Sequence, residues 1–422
     1  MRIAVVGAGI AGLVASHVLS RRHQVTLFEA EATAGGHANT VAISDNGRQR
    51  PIDTGFIVFN RENYPLLSRF FEYLNVPNHQ SDMSFSVSCE KTNFEYSGTS
   101  MNGFFSQRQN IMNPKHWMLL ADILRFNSQA EHWFRERADP KLTVAQFIRE
   151  CPLGKSFAEY YLLPLGSSLW SCHPRRFERF PIKFVIEFLK NHAMLQVRHR
   201  PQWLTVAGGS RCYVNAVTSQ LPAGLLRLQK RVDRVVPRKG GVDVFWNGSN
   251  SAAFDEAVLA THADTSLDLV DKADEEENEA LGSFPYQDNQ VCLHTDTKVL
   301  PRNRRAWSSW NYRISNHSNK ATSITYNMNM LQGIESDKTF CVSLNQLHAL
   351  DPQKVRYRTT YRHPVFQPGR DHIQSQHSRF VRRRGVSYCG AYWGNGFHEA
   401  GVNSAMTVCR AFGAELDPTQ HN

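Results

Sequence analysis

The feature that most restricts this chain is the run Gly7-Ala8-Gly9-Ile10-Ala11-Gly12, set directly behind Ile3-Ala4-Val5-Val6. Those four apolar residues have no polar alternation, as in a parallel strand buried on both faces. From Ile10 to Leu19 the apolar spacing is helical, and Val25-Thr26-Leu27-Phe28 reads as a second strand ending on Glu29. Strand, glycine turn, helix, strand and acid is the order of a dinucleotide-binding unit. Gly7 permits the tight turn, Gly9 lets backbone approach a pyrophosphate, and Gly12 lets the helix pack close to the strand. The helix N-terminus adds free N–H groups and partial positive charge. Glu29, about twenty residues past the first glycine, is placed to accept hydrogen bonds from the adenosine ribose, and it disfavours NADP, whose extra phosphate it would repel.

At 422 residues and 41% hydrophobic content the chain is large enough for more than one core, so two joined domains are expected. Its net charge of +10 favours anionic partners or substrates. The 8 cysteines contain no C-x-x-C pair, which fits neither a zinc site nor a redox dithiol and points to a reducing, cytoplasmic setting. The apolar start resembles an export signal, but its glycines fall where a phosphate loop needs them. No other stretch approaches the ~18 apolar residues of a membrane span, so membrane contact is expected to be peripheral. The acidic run Asp271 to Glu279 lacks calcium-loop spacing and reads as a solvated helix start, and the 18 histidines show no paired ligand spacing. No metal is expected.

A second glycine pair follows in Ala34-Gly35-Gly36-His37-Ala38-Asn39-Thr40, where a classical NAD domain would simply continue, and then the small-residue turn Asp53-Thr54-Gly55. Near the C-terminus, Tyr388 to Ala405 reads as strand, glycine-rich turn and helix, with the helix starting near Glu399 or Gly401. Such a helix end can stabilise negative charge at the edge of a reduced flavin, a role that a nicotinamide does not call for.

The motifs VVGAGIAGL, AGGHANT, DTGFIVFN, YSGTSMNG, RPQWLTVAGGSRCYV, FDEAVLATHAD and CGAYWGNGFHEAG together resemble the flavin-containing amine oxidase, phytoene desaturase and protoporphyrinogen oxidase superfamily. Closer still is the likeness to bacterial amine-oxidase-like NAD/FAD-binding proteins whose genes often accompany cyclopropane-fatty-acid-synthase-like methyltransferases. The resemblance implies an α/β fold: a Rossmann-type FAD-binding domain with a discontinuous α+β substrate-binding domain. It implies non-covalent FAD held by Gly7, Gly9, Ile10, Ala11, Gly12, Glu29, Gly36, His37, Thr54, Gly55, Val232, Ala260, Thr261, Gly390 and Val402. It also implies a lipophilic, fatty acyl substrate, with amine oxidation and a non-catalytic FAD-binding subunit as alternatives. One position departs from the pattern: Ala400 stands where the closer group usually has Asp in G-F-H-E-D-G.

The expected FAD-binding domain comprises residues 1–60, 205–265 and 385–422, and the substrate-binding domain 61–204 and 266–384. Helices are expected at Tyr64–Leu74, Pro114–Glu136, Thr143–Arg149 and Phe184–Met194, and strands within Gln290–Thr295, Thr322–Met328 and Thr339–Leu344. His398 and Glu399, beside the expected flavin-facing helix start, are the candidate proton-relay residues. Trp307, Trp310, Tyr312, Tyr392 and Trp393 are candidate walls of an apolar substrate cavity. Lys298 is the one lysine suggestive of amine-oxidising relatives. Basic runs at Arg198 to Arg200, Arg302 to Arg305 and Arg379 to Arg384 suit an anionic bilayer if they share a face, while no nucleic-acid reader motif is present. Oligomeric state is left open.

Overall fold

The computed structural model describes residues 1–137, 142–196, 200–315, 322–367 and 369–416. A five-stranded parallel sheet runs in the order Leu226–Arg227, Gln24–Phe28, Arg2–Val6, Glu256–Leu259 and Val386–Tyr388. Its first strand is buried from Ile3 to Val6, as an apolar run without alternation requires. The helix Ile10–Leu19 is buried along its whole length. It packs against the C-terminal helix His398–Ala411, and the approach is close because Gly401 has no side chain: a Cβ there would lie 2.8 Å from Ile10 Cγ2.

The second large sheet has seven strands, in the order Val355–Pro364, Tyr286–His294, Cys341–Leu344, Ile324–Asn327, Trp310–Ile314, Phe85–Cys89 and Phe94–Ser97. All its pairings are antiparallel except that of Trp310–Ile314 with Phe85–Cys89. A helical layer that includes Pro114–Arg137, Val144–Glu150, Leu163–Leu169 and Ile182–Asn191 closes over Phe126, Phe147, Phe157 and Phe177, all buried to within 1%. Each such ring contributes roughly 1.5–3 kcal/mol by leaving water. Smaller pieces join the layers: the meander Val232–Arg238, Gly241–Trp246, Asn250–Phe254, and the hairpin Thr40–Asp45, Arg48–Asp53.

Helices occupy Pro65–Tyr73, Pro114–Arg137, Val144–Glu150 and Ile182–Asn191, each where apolar periodicity predicts one. The stretch Lys155 to Leu169, which is not among the expected helices, is also helical, through a π-helical segment at Ala158–Leu162. Pro164 directly follows the π-helical segment, and Gly166 admits the Phe177 ring, which a Cβ would meet at 2.0 Å. The long strand Val355–Pro364 gives no apolar signal because it lies at a sheet edge: Arg356, Arg358 and Arg362 alternate with Tyr357, Tyr361 and His363. Among the described residues no helix is long and apolar enough to cross a membrane.

Candidate functional site

Between the two large sheets runs a cavity of about 590 Å³. One end is built from backbone. Gly7 has φ +96°, donates its N–H to Phe28 O at 2.8 Å, and starts the turn into the first helix. A Cβ on Gly12 would lie 1.8 Å from Gly7 O, so only glycine lets the helix start this close to the strand. Gly9 is different: a Cβ there meets nothing within 4 Å, and the residue lines the cavity. Glu29 accepts from Ala8 N at 2.7 Å and from Glu31 N at 2.9 Å, which fixes the loop while each carboxylate oxygen keeps acceptor capacity. The second glycine pair folds back onto the first loop, with Gly35 N donating to Ala8 O at 2.8 Å and Gly36 packed on the Gly9 Cα.

The middle of the cavity hangs on Asp53. This buried carboxylate accepts from Ser210 N at 2.8 Å, Ser210 Oγ at 2.7 Å, Thr40 Oγ1 at 2.6 Å and Gln332 Nε2 at 3.1 Å, and burial nevertheless pushes it up to about 6. Beyond it Thr54 shares a hydrogen bond with the Tyr361 hydroxyl at 2.8 Å, and Gly55 passes so close to His37 O that a Cβ would lie 2.1 Å away. Three imidazoles gather here: the His37 ring lies 5.8 Å from His262 and 5.5 Å from His363. Burial keeps all of them neutral, pulling His262 down to about 4, His363 to about 3, and His37 below its ordinary value. His37 Nε2 is buried in the cavity wall without a hydrogen-bond partner. No group of side chains able to hold a metal ion occurs among the described residues.

The far end is mostly apolar. Met83, Trp170, Phe188, Met194, Trp203 and Trp310 line it, with Tyr326 and Phe366, and the His192 imidazole stacks on Phe188 at 3.9 Å. Among the residues lining the whole cavity, the carboxylates are Glu29 and Glu31, both at the glycine-loop end. The lone guanidinium, Arg362, is paired with Asp264 and Asp288.

Of the cofactor residues expected from sequence, Gly7, Gly9, Ile10, Ala11, Glu29, Gly36, His37, Thr54, Gly55, Ala260, Thr261 and Gly390 line this one cavity. Gly12, Val232 and Val402 do not: Gly12 holds helix to strand, Val232 packs with Trp246 and Phe28 in the core beside the meander, and Val402 is fully buried in the C-terminal helix. The cradle fits FAD: open backbone at Gly9 for a pyrophosphate, Glu29 at a ribose, and the orphaned His37 Nε2 with the helix start at His398 toward the ring end.

The aromatic candidates divide. Trp310 and Tyr392 line the cavity, whereas Trp307 hydrogen-bonds Pro301 O at 2.7 Å away from it, Tyr312 lies in the core of the helical layer, and Trp393 stacks on His377 at 4.4 Å. Lys298 is exposed on the turn Thr297–Val299 and does not reach the cavity. Glu399 serves as a cap and does not line the cavity: its carboxylate, which burial pushes above its ordinary pKa, accepts from Leu66 N at 3.0 Å and Leu67 N at 2.9 Å, closing the N-terminus of the helix Pro65–Tyr73, whose own N-cap residue offers no side-chain bond. His398 does line the cavity, but it is stacked on Phe56 at 3.8 Å, its Nε2 lies 3.0 Å from the Tyr213 hydroxyl, and burial lowers it to about 3. It is therefore held as a fixed, neutral imidazole by its stacking and its hydrogen bond. Ala400 does not line the cavity and packs against Gly394. Arg379, Arg382, Arg383 and Arg384 are paired with Glu276, Glu256, Asp274 and Glu277, so that basic run is largely neutralised. Arg198 and His199 lie outside the described residues.

Sequence reasoning missed His262, Tyr361 and His363. The first directly follows Ala260-Thr261, and the other two are announced only by the period-two alternation of the Arg-rich edge strand.

Two measurements follow. Glu399→Ala removes two charge-assisted bonds and is expected to lower stability by about 1–3 kcal/mol in a denaturant titration while leaving the rate of flavin reduction unchanged; lost turnover at unchanged stability would contradict the cap. His262, His363 and His398 all have folded values below that of the unfolded chain, so below about pH 6.5 the unfolded state takes up protons that the folded state does not. The share of stability that these three control is present above that pH and falls toward pH 4 by roughly 4 kcal/mol per pH unit, and His17, His294 and His377, also lowered to about 4, act in the same direction. Proton uptake on unfolding at pH 5 reads this directly, and an uptake near zero would contradict it.

Solved structures with the same fold include cyclohexylamine oxidase from Brevibacterium oxydans IH-35A, with TM-score 0.69, 14% identity, and coverage of 98% of this chain and 99% of that one. A CLA-producing fatty acid isomerase from P. acnes gives TM-score 0.67 at 15% identity, covering 97% and 98% of the two chains. An oxidoreductase from Methanosarcina mazei gives TM-score 0.64 at 14% identity, covering 97% and 100%. No curated protein matches by sequence. The family model described as flavin containing amine oxidoreductase matches residues 10–334. With that match and the cradle described above, the chain belongs to the flavin-containing amine oxidoreductase family and is an FAD-dependent oxidoreductase.

Proposed function

We propose that the protein acts on a neutral, apolar chain, most simply the fatty acyl chain of a lipid, removing hydrogen from it or moving its double bond. The observation that carries this reading is the lining of the far end of the cavity: indole, phenyl and thioether groups, with no carboxylate. Such walls match an acyl chain along its whole length, whereas an amine would meet aromatic faces there but no counter-charge. One of the structural neighbours is described as a fatty acid isomerase, which is consistent with a chain of this chemistry in the same fold.

FAD held in the cradle supplies a two-electron acceptor for a C–H bond. The chain's own residues position and insulate. Trp170, Phe188, Trp203 and Trp310 hold the substrate and exclude water, and the neutral imidazoles of His37, His262 and His363 offer hydrogen bonds without adding charge. Phe56 and Tyr213 fix His398 in place.

Anaerobic absorbance titration of the FAD-loaded protein separates the readings. Unsaturated or methylated phospholipid is expected to bleach the flavin bands, lastingly for desaturation and transiently for isomerisation, while monoamines and diamines leave them unchanged. Bleaching by amines with none by lipid would overturn the proposal.

A further inference from the structure

Apolar side chains left in solvent are concentrated in one stretch of this protein: Met101, Ile111, Met112, Trp117, Met118 and Leu124. Met112 is 86% exposed and Met118 62%. They lie on the short helix Met101–Phe104, the 3-10 turn Arg108–Met112 and the opening turns of Pro114–Arg137. On that long helix His116, Leu119 and Phe126 face the core. Pro114, Trp117, Met118, Ala121 and Leu124 recur on the opposite face at helical spacing and are exposed. The segment is built rather than frayed. Trp117 Nε1 donates to Ile111 O at 2.8 Å, its ring packs on Phe105 at 4.7 Å, and His116 Nε2 lies 2.8 Å from Phe104 O.

Cations border this apolar face. Arg108 and Lys115 are on the segment itself, and the turn Arg304–Ala306 packs against Met101–Phe104, bringing Arg304 and Arg305 alongside. Among the described residues Lys115, Arg304 and Arg305 have no carboxylate partner, whereas Asp122 is engaged by Gly154 N at 2.9 Å and Arg125 at 3.9 Å. Methionine and tryptophan rimmed by unpaired cations is the chemistry of an interfacial anchor on anionic lipid.

We propose that this face docks on an anionic phospholipid bilayer, with Met112, Trp117 and Met118 entering the headgroup layer and Lys115, Arg304 and Arg305 meeting lipid phosphates. The docking is independent of the substrate reading, since vesicle binding is measured without turnover.

The test is co-sedimentation of the FAD-loaded full chain with vesicles of phosphatidylcholine alone or with about one third phosphatidylglycerol. Binding is expected to be at least about tenfold tighter with phosphatidylglycerol and to weaken between about 0.1 and 0.5 M salt. The double variants Met112→Asp with Met118→Asp, and Arg304→Glu with Arg305→Glu, should each weaken it at least about tenfold at unchanged melting temperature and flavin content. Wild-type protein that stays in the supernatant, or variants that sediment like wild type, would overturn the proposal. So would a lipid-free dimer that the methionine variant abolishes, since a second copy would then cover the face.

Discussion

One buried carboxylate ties together parts of the chain that are far apart in sequence. Asp53 accepts from Thr40 across its own hairpin, from Ser210 at the start of the helix Arg211–Gln220, and from Gln332 at the end of the helix Met328–Gln332. An ionisable group that burial raises to about 6 is costly to hold in a protein interior unless donors surround it. Here they do, and they come from both the nucleotide-binding half and the helix that links two strands of the second sheet. The consequence is positional: Thr54 and Gly55, the next two residues, are pinned against Tyr361 and His37 in the middle of the cavity wall.

The chemistry of that cavity changes along its length. At one end the walls are backbone, because Gly9 and Gly36 have no side chains to intrude and the first helix starts there. At the other they are large rings. Between them stand imidazoles that burial has stripped of charge. A charged cofactor tail is met by amide dipoles and a reacting hydrocarbon by a dry apolar surface, so polarity alone sets which end each occupies.

How much of this the sequence carries follows from how local each signal is. The glycine loop, Glu29 and the helix after Phe397 are legible because turn, helix start and acid are fixed by residues close together in the chain. The edge strand Val355–Pro364 hides its inward tyrosines behind alternating arginines, so the histidine cluster becomes visible only when that strand is laid beside Tyr286–His294. Glu399 misleads for the same reason: a carboxylate next to a flavin-facing helix start reads as chemistry until Leu66 and Leu67, distant in sequence, present their N–H groups to it. Of the indole and phenol candidates, only the fold separates Trp310 and Tyr392 from Trp307, Tyr312 and Trp393.

The central claim is that the backbone around Gly9 receives the charged part of FAD. Flavin binding to the apo form of Gly9→Ala tests it most directly, because the added methyl meets no protein atom and should cost less than about 1 kcal/mol of stability. The account predicts an apo melting temperature close to that of the wild type, with FAD affinity weakened at least about tenfold by a methyl group placed where the pyrophosphate must approach. Wild-type affinity in a folded Gly9→Ala variant would contradict it.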